Sequence, residues 1–166
     1  MSEIISPENT ELLTYIMGGA TEQSYISSAL KLQGELEQKI ESGEFGQADI
    51  GLVNHFASGV YLRQMNAAAG TLVVSKMHRT EHLNILLTGS LTVATENGIE
   101  LLKAPMVLKS MPGTKRIGYF HEDSSWITVH PTESTDLEVI EQQAIVPDDE
   151  IDQFLASLPN KCKEIE

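Results

Sequence analysis

All five histidines of this 166-residue chain, at 55, 78, 82, 121 and 130, fall between residues 51 and 130. His78 and His82 stand beside Lys76 and Asn84, and Arg116 and His130 follow in later extended runs. Grouped imidazoles can ligate a divalent ion, move protons near neutral pH, or cradle an anion together with cations. The neighbouring cations tilt the choice. Lys76 and Arg116 repel a dication but attract a phosphate or carboxylate, the arginine through its planar fork and the lysine as a point charge. The candidate ligand-binding set is therefore Lys76, His78, His82, Asn84, Arg116, Tyr119, Trp126 and His130, with Tyr119 or Trp126 available to stack on a ring. A metal trio of His78, His82 and His130, taking iron, nickel, manganese or zinc, is the second expectation. The third is acid–base chemistry with Tyr119 as proton donor. Glu81, the acid nearest in sequence, is turned away from His82 by strand alternation, which weakens a histidine–carboxylate dyad.

The elements that must position these groups read as short strands. Leu72, Val74, Lys76 and His78 share one parity, so the lysine and the imidazole face the same way. Trp126, Thr128 and His130 share another, which aims His130 at the same interior. The expected strands are 59–65, 71–77, 83–87, 90–95, 99–103, 106–110, 115–120, 125–130 and 136–142, forming a compact antiparallel β domain. Asn97-Gly98 suits a type I′ hairpin turn, and 111–114 and 122–125 are the next turns. Trp126 is expected in the core with its indole N–H paired, and His55 on the surface. Glu81 and Asn84 are placed to orient His82, whereas nothing local anchors the parity of Arg63.

Helices flank the β region. Ser6-Pro7-Glu8 starts a short one that Gly18-Gly19 ends. Thr21 caps a longer one whose stripe of Tyr25, Ala29, Leu32, Leu36 and Ile40 runs to Ser42-Gly43. That stripe should pack on the outside of the protein's own sheet, or else on a second subunit. A last helix carries Ile151, Phe154, Leu155 and Leu158 before Pro159, with Asp148-Asp149-Glu150 complementing its dipole. The expected layout is a helical segment over 1–50, a β-barrel over 55–142, and a helix with tail over 147–166.

Charge narrows the partners. The net charge is −13, and it is uneven: residues 1–50 carry nine acids and two bases, residues 131–166 ten acids and two bases, and residues 51–130 five acids and seven bases. Acidic ends and dispersed bases argue against nucleic acid. No apolar run approaches the ~18 residues of a membrane span, and the N-terminus lacks an export signal. One cysteine, Cys162, excludes disulfide stapling, so the expected setting is the cytoplasm.

Gly70, Lys76-x-His78-x3-His82 and Gly89 together resemble the first motif of the cupin superfamily, with Lys76 at the place of the first histidine and His82 at that of the glutamate. Pro112-Gly113-Thr114-Lys115-Arg116 resembles the second, with Arg116 at or near the last metal-binding histidine. In closer detail, Gly59 to Arg63, Ala69 to Val73, His78 to Asn84 and Trp126 to Thr132 resemble small cupin-like proteins encoded by tailed bacteriophages. The resemblance implies a double-stranded β-helix, or jelly-roll barrel, with two N-terminal helices and a C-terminal helix. The expected protein is a homo-oligomer that holds a small anionic ligand such as a sugar phosphate or nucleotide; the resemblance adds an infected host's cytoplasm as its setting and a nucleotide-like host signal as a ligand. The alternatives are a metal-dependent dioxygenase, an isomerase or epimerase, and a jelly-roll assembly protein.

Overall fold

The structure, a computed structural model, describes residues 22–159. Helix α1 (Glu22–Glu41) is followed by strands β1 (Val53–Ala57), β2 (Val60–Ala67), β3 (Leu72–Val74), β4 (Met77–His78), β5 (His82–Thr88) and β6 (Ser90–Thr95). Then come β7 (Gly98–Lys103), β8 (Met106–Ser110), β9 (Ile117–Phe120) and β10 (Ser124–Pro131), helix α2 (Leu137–Ala144), β11 (Ile145–Val146), a 3-10 turn (Asp148–Glu150) and α3 (Ile151–Ser157).

Nine of the strands make a jelly roll of two sheets. One sheet has the order β1-β2-β10-β5-β8, the other β3-β9-β6-β7, and β4 pairs with β11. Every pairing is antiparallel. The chain passes from one sheet to the other between β5 and β6 at Gly89, whose φ of +85° and lack of a side chain both matter: an added Cβ would run into Ser124 and lie 2.7 Å from the Asp123 carbonyl. Between the sheets Leu86, Leu91, Val93, Phe120 and Trp126 form the inner core.

A second apolar layer lies outside the four-stranded sheet. Tyr25, Ile26, Ala29 and Leu32 of α1 pack with Met77, Ala94, Ile117, Val146 and Ile151, each large side chain contributing about 1.5–3 kcal/mol by leaving water. The Tyr25 hydroxyl donates toward the carbonyls of Ala94 (2.9 Å) and Lys115 (3.0 Å), pinning α1 across the sheet. The stripe therefore covers this protein's own sheet, the first of the two partners expected. The helix stops at Ser42-Gly43, where Gly43 turns with φ +76°. The shorter helix expected before Gly18 and the Thr21 cap lie outside the described residues, as does Cys162.

Three expectations need correction. Residues 136–142 are not a strand but the N-cap and body of α2, because Asp136 accepts from the amides of Glu138 (2.9 Å) and Val139 (3.3 Å) and closes the first helical turn. Ile140 and Ala144, four apart, then bury the same face. The hairpin at 95–98 forms, but Thr95 pairs with Gly98 and the loop is Glu96-Asn97; no described non-glycine residue has positive φ, which a type I′ turn requires of both central residues. The run 71–77 breaks at Ser75-Lys76. Ser75 leaves the ladder there to receive the Arg116 amide on its hydroxyl (2.8 Å) and the Lys115 ammonium on its carbonyl (2.8 Å).

Candidate functional site

The two sheets enclose a cavity of about 490 Å³, within the range of small-molecule sites. Its floor is the inner face of the five-stranded sheet, and the strand registers arrange that face in rungs. Met65, Trp126, Leu86 and Met106 form an apolar rung; Arg63, Thr128, Asn84 and Leu108 form the next. Tyr61 pairs with His130, and His82 with Ser110, at the third level. The facing wall is apolar, built by Val73, Leu91, Val93 and Phe120, with Gly118 leaving space between them. Leu137, Ile140 and Glu141 of α2 close one side.

Three imidazoles gather at the third rung. His78 and His82 have ring centroids 4.2 Å apart, His130 lies 5.4 Å from His78 and 5.7 Å from His82, and the interplanar angles are 19–36°. Tyr61 continues the stack at 5.8 Å from His130, and Phe56 lies 5.1 Å beyond it. His82 Nδ1 is 3.0 Å from the Thr80 carbonyl. A carbonyl only accepts, so Nδ1 carries the proton and Nε2, buried with no hydrogen-bond partner among the described residues, carries the lone pair. Burial, then the neighbouring rings and the two arginines, push the His78 pKa down to about 3. Burial, His82 and Arg63 push His130 down to about 4. Burial lowers His82 too, against the opposing pull of the Thr80 carbonyl. All three are neutral at pH 7.

Arg116 reaches the cavity from the start of β9. Its Nη2 donates to Ser110 Oγ (2.8 Å), which also receives Asn84 Nδ2 (2.6 Å). Asn84 Oδ1 accepts from Trp126 Nε1 (3.2 Å) and Thr128 Oγ1 (3.1 Å). Asn84 therefore ties the floor together and makes no bond to His82. Glu81 also leaves His82 alone, pairing instead with Lys109 at 3.3 Å. Burial lowers the Arg116 pKa, with Glu96 and Tyr25 offsetting part of the effect, and a guanidinium stays charged regardless.

Of the eight expected site residues, Lys76, His78, His82, Asn84, Arg116, Trp126 and His130 line the cavity. Lys76 does so from an exposed rim, bonded to Glu141. Tyr119 does not. Gly118 and Phe120 take the inward positions of β9, so alternation puts Tyr119 on the outer face, edge-on to His121 at 5.2 Å. His121 bonds Thr92 at 2.7 Å there, and exposed His55 bonds Gln64 at 2.9 Å. Sequence reasoning missed Ser110 and left Arg63 open. Arg63 lines the cavity because it sits opposite Thr128 in the β2–β10 register. Among the described residues no ion pair engages it.

Among the described residues no group of three or more His, Cys, Asp or Glu is arranged to hold an ion. No helix among the described residues is long and apolar enough to cross a membrane.

No family model matches this chain, and no curated protein matches it. Among solved structures it is similar to a cupin-2 domain containing protein from Shewanella frigidimarina, 13% identical over 57% of this chain and 92% of that one, TM-score 0.43. A putative ethanolamine utilization protein Q from Salmonella typhimurium is 15% identical over 50% and 69%, TM-score 0.42. An acetylacetone dioxygenase from Acinetobacter johnsonii is 18% identical over 48% and 58%, TM-score 0.42.

Proposed function

We propose that this chain is a cupin-type binding protein that holds a small phosphate- or carboxylate-bearing molecule in its barrel. The observation that carries the reading is the charge of the lining: three bases, Arg63, Lys76 and Arg116, and one acid, Glu141, already bonded to Lys76. In a chain of net charge −13, that leaves a cationic interior walled by low-dielectric side chains, where an anion is both attracted and fixed. Arg63 lacks an ion-pair partner among the described residues, so the ligand supplies its counter-charge. Binding is favoured over acid–base turnover because imidazoles held at about 3 and about 4 are weak bases at neutral pH.

Trp126 is the sole tryptophan and lines the cavity, so its fluorescence reports occupancy. Titration with inorganic phosphate and phosphate monoesters should give a saturable change that Arg63→Gln and Arg116→Gln each weaken about tenfold or more, the worth of a charge-assisted hydrogen bond. Mass spectrometry of the supernatant from denatured protein should release an anionic small molecule. Binding that is absent, or indifferent to both arginines, overturns the reading.

A further inference from the structure

We infer that the ligand is amphipathic: an anion attached to an apolar, ring-sized body, not a hydroxyl-rich sugar phosphate. This rests on the anion-binding reading for the placement of the charge. The polarity of the cavity is graded along the strands. At one end are the imidazoles, followed by Arg63 on the next rung; two residues further along β2 and β10 the floor becomes Met65 and Trp126. That step is about 7 Å at the rise of an extended strand, so a charge held at Arg63 and Arg116 leaves the rest of the molecule lying on the apolar rung. The wall above that rung, Leu91, Val93 and Phe120, offers no hydrogen-bonding side chain. The polar floor groups nearest to it are already engaged, since Asn84 Oδ1 accepts from both Trp126 and Thr128 and Asn84 Nδ2 donates to Ser110. Sugar hydroxyls placed there would lose their water without gaining partners, whereas a ring or short hydrocarbon would gain by burial.

The test compares probes of equal charge on the full-length protein: phenyl phosphate against glycerol 1-phosphate, with inorganic phosphate and neutral benzyl alcohol as references. Phenyl phosphate should bind about tenfold or more tighter than glycerol 1-phosphate, from the apolar area buried, and Met65→Gln should shrink that advantage. Equal affinities, or a preference for glycerol 1-phosphate, overturn the amphipathic ligand while leaving the anion site standing. Failure of every phosphate probe, or benzyl alcohol binding as tightly as phenyl phosphate, overturns the anion site and this inference with it. The wild-type comparison decides the matter even where Met65→Gln does not fold.

Discussion

Lys115 Nζ lies 2.9 Å from Gln33 Oε1, across 82 positions of sequence, and joins α1 to the start of β9. The lysine is fully buried, donates to the Ser75 carbonyl at 2.8 Å, and sits 3.9 Å from Asp148 in the 3-10 turn. Burial lowers its pKa, and Asp148 and Glu37 pull the other way. A buried charge of this kind costs desolvation that its partners only offset. Gln33→Leu should therefore cost about 1–3 kcal/mol by leaving the ammonium short of a partner, whereas Lys115→Met should stay within about 1 kcal/mol of wild type. Urea denaturation of the two variants checks the order; the reverse order would show that the lysine itself is a net stabiliser.

Acid should weaken the fold through the stacked histidines. Their folded pKa values lie below the ordinary 6.5, at about 3 for His78 and about 4 for His130, and lower in direction for His82. The unfolded chain therefore binds more protons below pH 6.5, so the stability present above 6.5 is lost as pH falls toward 4. Each histidine contributes up to about 1.4 kcal/mol per pH unit inside that window. Urea midpoints at pH 7.5, 6.5 and 5.5 should fall chiefly over the second interval, with a smaller loss over the first, and His130→Gln should flatten the fall. A midpoint independent of pH down to 5.5 would contradict the burial of these rings.

Asn84→Leu should cost about 2–4 kcal/mol. It strips the acceptor from the indole of Trp126 and the hydroxyl of Thr128 and the donor from Ser110, all in buried surroundings. The emission of Trp126 should shift as its N–H loses its partner, without a change in denaturant m value. A variant as stable as wild type would mean that water replaces the amide.

Gly89→Ala should destabilise by about 2 kcal/mol or more, because both the backbone conformation and the space oppose a Cβ. Adding Ser124→Gly relieves one contact but neither the Asp123 carbonyl nor the positive φ. Thermal melting should show partial rescue only. Full rescue would assign the whole effect to the serine.

Local chemistry was enough to read much of this protein from its sequence. Period-two alternation in 125–130 carried Trp126 and His130 to one interior, and the stripe from Tyr25 to Leu36 marked the helix face that packs on the sheet, because both depend on the geometry of a single element; the parity expected over 72–78 did not hold, since Leu72 and Val74 pack on the outer layer and His78 reaches the cavity only after the break at Ser75-Lys76. The placement of Tyr119 failed for the same reason that His130 succeeded: one residue of parity decides the face, and only the pairing of β9 with β3 and β6 sets it. Residues 136–142 carry Val139 and Ile140, which suit a strand, yet the Asp136 cap turned them into α2. Arg63 joined the cavity through its register with Thr128, Ser110 met Asn84 and Arg116 through the pairing of β8 with β5, and Lys115 turned away from the cavity to Gln33. These relations link residues tens of positions apart. They follow from which strands pair and in what register, and only the tertiary structure decides that.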